Sequence, residues 1–280
     1  MARHIACVSF DFDTWSGFAA RGMTTPTPTS RGEFGVIGAG RVLDLLRDRG
    51  IKASWYIPGV VIETYPAASE RVVKEGHEVG HHGWSHVPPA WLEADREADE
   101  FARAVECIVK LTGRKPVGYR SPSWDISDRT IDLIAQHGLR YDSSMMGHDC
   151  QPYFARRGDV VAADQPMKFG DTTDLVEIPI SWSLDDHPHF EFIRAKTEVL
   201  PGLSNANAVL ENWLADFEYM KRTEEWGALV YTFHPYVVGR GHRMLMLEKL
   251  IDTLTAEGAV FLTLDELQQE YRARIAGGAA

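Results

Sequence analysis

The chain has 280 residues, 44% apolar and 25% charged, with 29 lysines and arginines against 40 aspartates and glutamates for a formal charge of −11. This is a globular composition, and its negative field disfavours a nucleic-acid backbone or an anionic membrane as partner. No run approaches the ~18 apolar residues of a membrane span, and the cysteines, Cys7, Cys107 and Cys150, are odd in number and widely spaced, as in a reducing cytosol.

The N-terminal MARHIACVSFDFDTW holds a short apolar run that includes His4 and ends in Asp11 and Asp13. No cleavage-site pattern follows, so a cytoplasmic location is expected. HIACVSF (4–10) reads as a buried strand, and a long loop is expected from Thr14 to Phe34, at the catalytic end, as a cover or a subunit contact. Residues 36–50 read as a helix stopping at Gly50, 52–59 as a strand, and 64–76 as a helix ending on Gly76. HEVGHHG is a strand and its exit. Residues 91–113 form a long amphipathic helix to Gly113, and PVGYRSP is a strand. Residues 127–138 read as a helix opened by a Ser/Asp cap and closed on Gly138. After a strand near Tyr141 comes a looser stretch containing LVEIPISW (175–182). Helix 205–226, strand 227–233, helix 243–258 and a last strand AVFLTLDEL complete the chain.

Repeated strand–helix units predict a parallel sheet with right-handed crossovers. About seven units over this length predict an α/β fold, a distorted (β/α) barrel, closed or nearly so. A single domain, 1–280, is expected, with the barrel over about 4–265 and a short C-terminal tail.

Ionisable residues collect where these strands end. Asp11 and Asp13 follow IACVSF, and His82 and His86 follow EVG. Arg120 follows PVGY, Asp185 and Asp186 follow EIPISWSL, and His234 follows ALVYTF. On a turn entering a helix, residues i and i+4 share a side, so His82 and His86 could reach one ion. With Asp13 they would form a three-ligand set with an open position, as in catalytic zinc sites. His81 should point elsewhere and reads as packing or as a support behind the ligands. Asp11 shares a strand face with Asp13. It could take a proton from an attacking water, act as a second ligand, or pair with Arg120. Tyr119 and Trp124 flank Arg120, which is expected to be buried and to hold Asp11 ionised. His234 is the candidate general acid. Trp15, Trp55, Trp84, Trp124 and Trp182 fall near strand ends. Trp84 and Trp124, with Asp185, are the candidates for a substrate pocket.

FDFD, GHEVGHHGWSH, GYRSPSW and FHP, in this order, resemble the motifs of the polysaccharide deacetylase family (carbohydrate esterase family 4), metal-dependent amide hydrolases on a distorted barrel. The resemblance covers about residues 5–265. It implies Asp11 as catalytic base and Asp13, His82 and His86 as metal ligands, with Gly83 where many members carry Ser or Thr. Arg120, Pro122 and Trp124 match the motif that braces the base, and His234 matches the catalytic acid. RGEFGVIGAGRVLDLL, WYIPG, EIPISWSLDD and HPYVVGRGHRM are similar to a cytosolic branch of that family. The branch includes a peptidoglycan-deacetylase-like protein, cyclic imide hydrolases and metal-independent allantoinases, commonly as homotetramers. This chain keeps Asp13, His82 and His86 and so departs from the allantoinase pattern.

The expectation is a hydrolase of non-peptide carbon–nitrogen bonds with one divalent metal, zinc by its donor set. Its substrate is an N-acetylated sugar or a small cyclic imide or ureide, with the small molecule favoured. A homotetramer is expected, with no nucleic-acid or membrane partner. Two other readings are a sugar-binding relative without catalysis and a non-haem iron enzyme using the same His/His/Asp set. Complete base and acid motifs argue against the first. Ligand order and the strand–helix alternation argue against the second.

Overall fold

The structure is a computed structural model and describes residues 2–194 and 199–278. β1 (Arg3–Asp11) sets the frame. Successive side chains of a strand face opposite ways. Ala6, Val8 and Phe10 therefore join the apolar layer under the helices, while Ile5 and Cys7 join a separate inner one. The inner row continues as Ser9 and Asp11, so polarity begins where the strand reaches its carboxyl end.

Next come α1 (Ser16–Ala20), α2 (Pro26–Arg49), β2 (Ser54–Ile57), α3 (Gly59–Thr64), α4 (Pro66–Lys74) and β3 (Glu78–His81). They are followed by α5 (Ala94–Thr112), β4 (Gly118–Tyr119), α6 (Thr130–Gln136), β5 (Tyr141–Asp142) and β6 (Tyr153–Arg157). A hairpin of β7 (Val160–Ala162) and β8 (Gln165–Lys168) leads to β9 (Asp171–Glu177) and α7 (Asp186–Phe190). The short β10 (Ile193–Arg194) and β11 (Val199–Leu200) precede α8 (Ala206–Thr223) and β12 (Trp226–Phe233). α9 (Pro235–Val238), α10 (Gly241–Ala256), β13 (Val260–Phe261) and α11 (Leu264–Ala276) complete the order.

The main sheet runs β12-β1-β2-β3-β4-β5-β9-β6, with β13 also on β1. Every pairing from β12 to β9 is parallel, and β6 returns antiparallel to β9. The predicted α/β barrel architecture is present as a curled sheet rather than a fully laddered ring. Between the β9 side and β12, one isolated parallel bridge, Asp185 to Thr232, joins the two ends. No described helix is long and apolar enough to cross a membrane.

Three local expectations change. The segment from 14 to 34 is largely helical rather than a loop, since α1 occupies Ser16–Ala20 and α2 begins at Pro26. Proline at a first helical position loses nothing, because its missing N–H has no partner there in any case. The LDEL stretch is helix, not strand. Thr263 accepts from the Glu266 N–H at 3.2 Å while Glu266 accepts from the Thr263 N–H at 2.8 Å, a capping box that starts α11. The T-x-x-E pattern at Thr263–Glu266 is a local signal for this helix start. Finally, α6 starts at Thr130 behind Arg129, which provides no side-chain cap; Ser127 lies two residues further back, its hydroxyl donating to the buried Glu97 carboxylate at 2.8 Å and accepting from the Arg129 N–H at 3.1 Å.

α2 and α9 meet backbone to backbone. A Cβ on Gly38 would lie 1.9 Å from the Pro235 carbonyl oxygen, which no rotamer change relieves. Gly38→Ala is therefore expected to lower stability by about 1–3 kcal/mol, the usual cost of forcing extra volume into a packed contact. Urea unfolding monitored by circular dichroism checks it, and an unchanged midpoint would contradict this close approach.

Candidate active site

The carboxyl ends of β1, β3, β4 and β12 converge on one cavity of about 50 Å³ whose walls include Asp11, Asp13, His82, His86, Trp124 and His234. All six are buried. Asp11 is the last residue of β1, and Asp13 follows one inward-facing step later. His82 leaves β3 directly. The approach of His86 differs from the helical spacing inferred from sequence. No helix starts there; Gly83 (φ 68°) and His86 itself (φ 63°) turn left-handed and fold the segment back. The two imidazoles meet with ring centroids 5.1 Å apart. Thr14, Ser123 and Trp124 also hold positive φ, so four of the five such non-glycine residues described flank this cavity. Strain of this kind persists where surrounding contacts over-determine the backbone.

Asp13 touches both imidazoles, at 3.3 Å from His82 Nε2 and 3.1 Å from His86 Nε2. Burial opposes a charge on Asp13, but the two histidines outweigh it and hold its carboxyl well below the usual range. His82 Nδ1 lies 2.8 Å from the Arg120 carbonyl. A carbonyl only accepts, so Nδ1 carries the proton and, in the neutral ring, Nε2 presents a lone pair. That lone pair and Asp13 Oδ1 are both buried and without a hydrogen-bond partner. Two acceptors face each other across a gap that a cation would fill. Two imidazole nitrogens and one carboxylate suit a borderline divalent ion with coordination positions to spare. The residues present thus fit a metal.

Arg120 is fully buried at the exit of β4. Burial disfavours its charge, yet Asp11 outweighs that and keeps the guanidinium strongly basic. Its Nη1 donates to Asp11 Oδ1 at 2.9 Å and to the Ser9 hydroxyl at 2.8 Å. Its Nε and Nη2 donate to the Ser143 carbonyl and hydroxyl, each at 3.1 Å. Trp124 Nε1 donates to Asp11 Oδ2 at 3.4 Å. Asp11 is thereby oriented with Oδ2 3.9 Å from His82 Nε2, beyond direct contact.

His234 ends β12. Its ring Nδ1 donates to Asp186 Oδ1 at 2.8 Å, and its backbone N–H is shared between both Asp186 oxygens at 3.0 and 3.1 Å. Nε2 faces inward, 3.6 Å from Asp13 Oδ2. Burial opposes charge on the ring, but Asp185 and Asp186 outweigh it and hold its pKa well above the ordinary histidine value. Burial pushes Asp186 itself up to about 7.

The structure therefore brings together Asp11, Asp13, His82, His86, Arg120 and His234. Trp124 and Asp185 also line the cavity. Asp185 caps α7, accepting from the His187 N–H at 3.1 Å. Trp84 does not reach the cavity; it packs on Gly59 with the Arg103 guanidinium 3.9 Å over its ring. His81 is packing as expected, stacked on Phe101 at 4.1 Å. Sequence reasoning passed over Asp186 as the partner of His234, although the DD doublet at a strand exit offered a signal. It also missed Arg21 and His187 on the wall, and Ser9 and Ser143 around Arg120. A serine carries no such signal until strand register places it.

Fold and cavity together fit a barrel hydrolase with a carboxylate–imidazole set that could hold a metal ion. The sequence profile of the family described as polysaccharide deacetylase matches residues 38–141. A peptidoglycan deacetylase of Helicobacter pylori is 35% identical over 98% of this chain and 98% of its own length. A peptidoglycan deacetylase-like protein of Gibberella zeae is 29% identical over 94% of this chain and 85% of its own. Among solved structures, a Mycobacterium smegmatis chain named as a polysaccharide deacetylase superposes with a TM-score of 0.82 at 27% identity, covering 98% of this chain and 91% of that one. A Puue allantoinase shares the fold, with a TM-score of 0.79 at 17% identity over 97% of this chain and 91% of that one. The chain belongs to the polysaccharide deacetylase family. It is a hydrolase acting on carbon–nitrogen bonds other than peptide bonds, and the non-catalytic reading is set aside.

Proposed function

We propose that this protein hydrolyses the amide or imide bond of a small substrate, with Asp11 as general base and His234 as general acid. The observation that carries the reading is that both proton carriers flank one ligand set in one cavity. Asp11 Oδ2 lies 3.9 Å from His82 Nε2 on one side, and His234 Nε2 lies 3.6 Å from Asp13 Oδ2 on the other. Asp13, His82 and His86 would hold a divalent metal, zinc by the borderline softness of the donors. Such an ion supplies Lewis acidity and lowers the pKa of water.

The chain's own groups move the protons. Asp11 is aligned by Arg120 and Trp124 to accept one from the attacking water. His234, its Nδ1–H committed to Asp186, presents Nε2–H to the departing nitrogen. The paired Trp124 and Trp182 rings, stacked at 4.2 Å, wall one side of the cavity, and His187 lines it too. Burial keeps the His187 ring neutral. Arg21 on the wall offers donors to a substrate oxygen.

The cavity of about 50 Å³, walled by Arg21 behind α1 and by His187 on α7, has room for a small amide, imide or acetamido group, and the enclosure by these segments supports a cyclic imide or ureide. The names of the Helicobacter and Gibberella relatives favour the second reading, an N-acetylated sugar. The comparison that decides is kcat/KM on succinimide, hydantoin and dihydrouracil against an N-acetylglucosamine oligomer at matched metal loading. Ring opening of at least one small substrate with higher kcat/KM is the expected result. Turnover of the oligomer without measurable ring opening would establish the sugar instead. A cytoplasmic location, and a homotetramer as the resemblance implies, complete the proposal.

A further inference from the structure

A second pair of carboxyl groups lies behind the site and takes no part in the chemistry above. Asp142 ends β5 and Glu177 ends β9, direct neighbours across the parallel ladder and both fully buried. Each uses one oxygen. Asp142 Oδ1 accepts from the Ser143 N–H at 2.8 Å and the Ser144 hydroxyl at 2.6 Å. Glu177 Oε1 accepts from the Ser144 and Met145 N–H groups at 3.0 and 2.8 Å. The other two oxygens, Asp142 Oδ2 and Glu177 Oε2, are buried and have no donor among the described residues. Adjacent buried carboxylates cannot both stay charged, whereas one proton between them satisfies both orphan oxygens.

We infer that Asp142 and Glu177 share one proton, and that this pair positions the catalytic base through Ser143 and Arg120. The pair pins residues 143–145 by their N–H groups, and Ser144 in turn accepts from the Ser121 N–H at 2.8 Å. Ser143, so placed, presents the carbonyl and hydroxyl that receive Arg120 Nε and Nη2. Arg120 Nη1 then holds Asp11. Asp142 and Glu177 touch no substrate atom, so they are positioning residues.

The surroundings agree. Arg120 is the cation facing Asp142, and Tyr119 on β4 and Tyr153 on β6 are the other titratable neighbours. Burial raises both phenols, so they stay neutral over the working range. Burial also pushes Asp142 up to about 6 and Glu177, further opposed by Asp142, well above its ordinary value. A carboxyl whose folded pKa is raised binds more proton folded than unfolded. Its contribution is fully present below the ordinary carboxyl pKa of about 4 and is lost as pH climbs through the raised values.

Glu177→Gln tests the shared proton, since an amide keeps the shape and offers a permanent N–H to Asp142 Oδ2. In the metal-loaded protein, infrared difference spectra of wild type minus E177Q should show a protonated buried carboxyl at neutral pH. The Tm gap between the two should move in favour of E177Q as pH rises from 5 to 9. Absence of that band, or parallel Tm curves, would overturn the shared proton. Glu177→Ala tests positioning. It should lower kcat by about 10–100-fold with KM and metal content little changed, the loss expected when a catalytic group shifts by a fraction of an ångström. Asp142→Asn supplies the same kinetic test if E177A fails to fold. Unchanged kcat in both variants would overturn the positioning role. That role rests on Asp11 as the base, whereas the infrared and melting measurements do not, so failure of the one is distinguishable from failure of the other.

Discussion

Asp11→Asn should lower kcat by about 10²–10⁴-fold, the usual contribution of a general base, with the metal still bound. Asn cannot accept the proton of water, yet it fills the same volume beside Arg120 and Trp124. The carboxylate now serves two donors with two oxygens, Arg120 Nη1 at 2.9 Å and Trp124 Nε1 at 3.4 Å. An amide has one oxygen, so one buried donor loses its acceptor, at about 1–3 kcal/mol of stability. Metal content by atomic emission, thermal melting and kcat on the same sample separate the effects. Metal lost in step with activity would make Asp11 a ligand and overturn its role as the base.

His82→Ala should act in the opposite order, with metal lost first and activity following in proportion. The ring supplies a lone pair at 3.3 Å from Asp13 Oδ1, and its Nδ1–H is fixed by the Arg120 carbonyl at 2.8 Å. Changing a group that only hydrogen-bonds to a metal ligand already costs about 10–100-fold in metal affinity, so loss of a ligand should exceed about 100-fold. Titration with added zinc, read by both bound metal and turnover, should show the weakened site and a partial rescue. Full activity in H82A, or in wild type after exhaustive chelation, would sink the metal assignment.

The sequence by itself determined the parallel strand–helix alternation, because the inward row of β1 and the glycine-ended helices are local patterns. It also determined which ionisable residues stand at strand exits, since apolar runs end there in Asp11, His82, Arg120 and His234. The resemblance of four ordered motifs added their roles.

Other features depended on contacts distant in sequence. The 14–34 segment became helix because α2 has α9 to pack against, with Gly38 admitting the Pro235 carbonyl. His82 and His86 converge through left-handed backbone at Gly83 and His86 rather than through helical spacing, a conformation that no periodicity reports. Trp84 and Trp124 look alike as tryptophans after strands, yet only the fold sends one to Arg103 and the other to Asp11. Asp142 and Glu177 are 35 positions apart, and only the β5–β9 register sets them side by side. Local patterns set period and exposure. Which side chains share a buried, low-dielectric space, and therefore which share a proton or an ion, is decided when the strands pair.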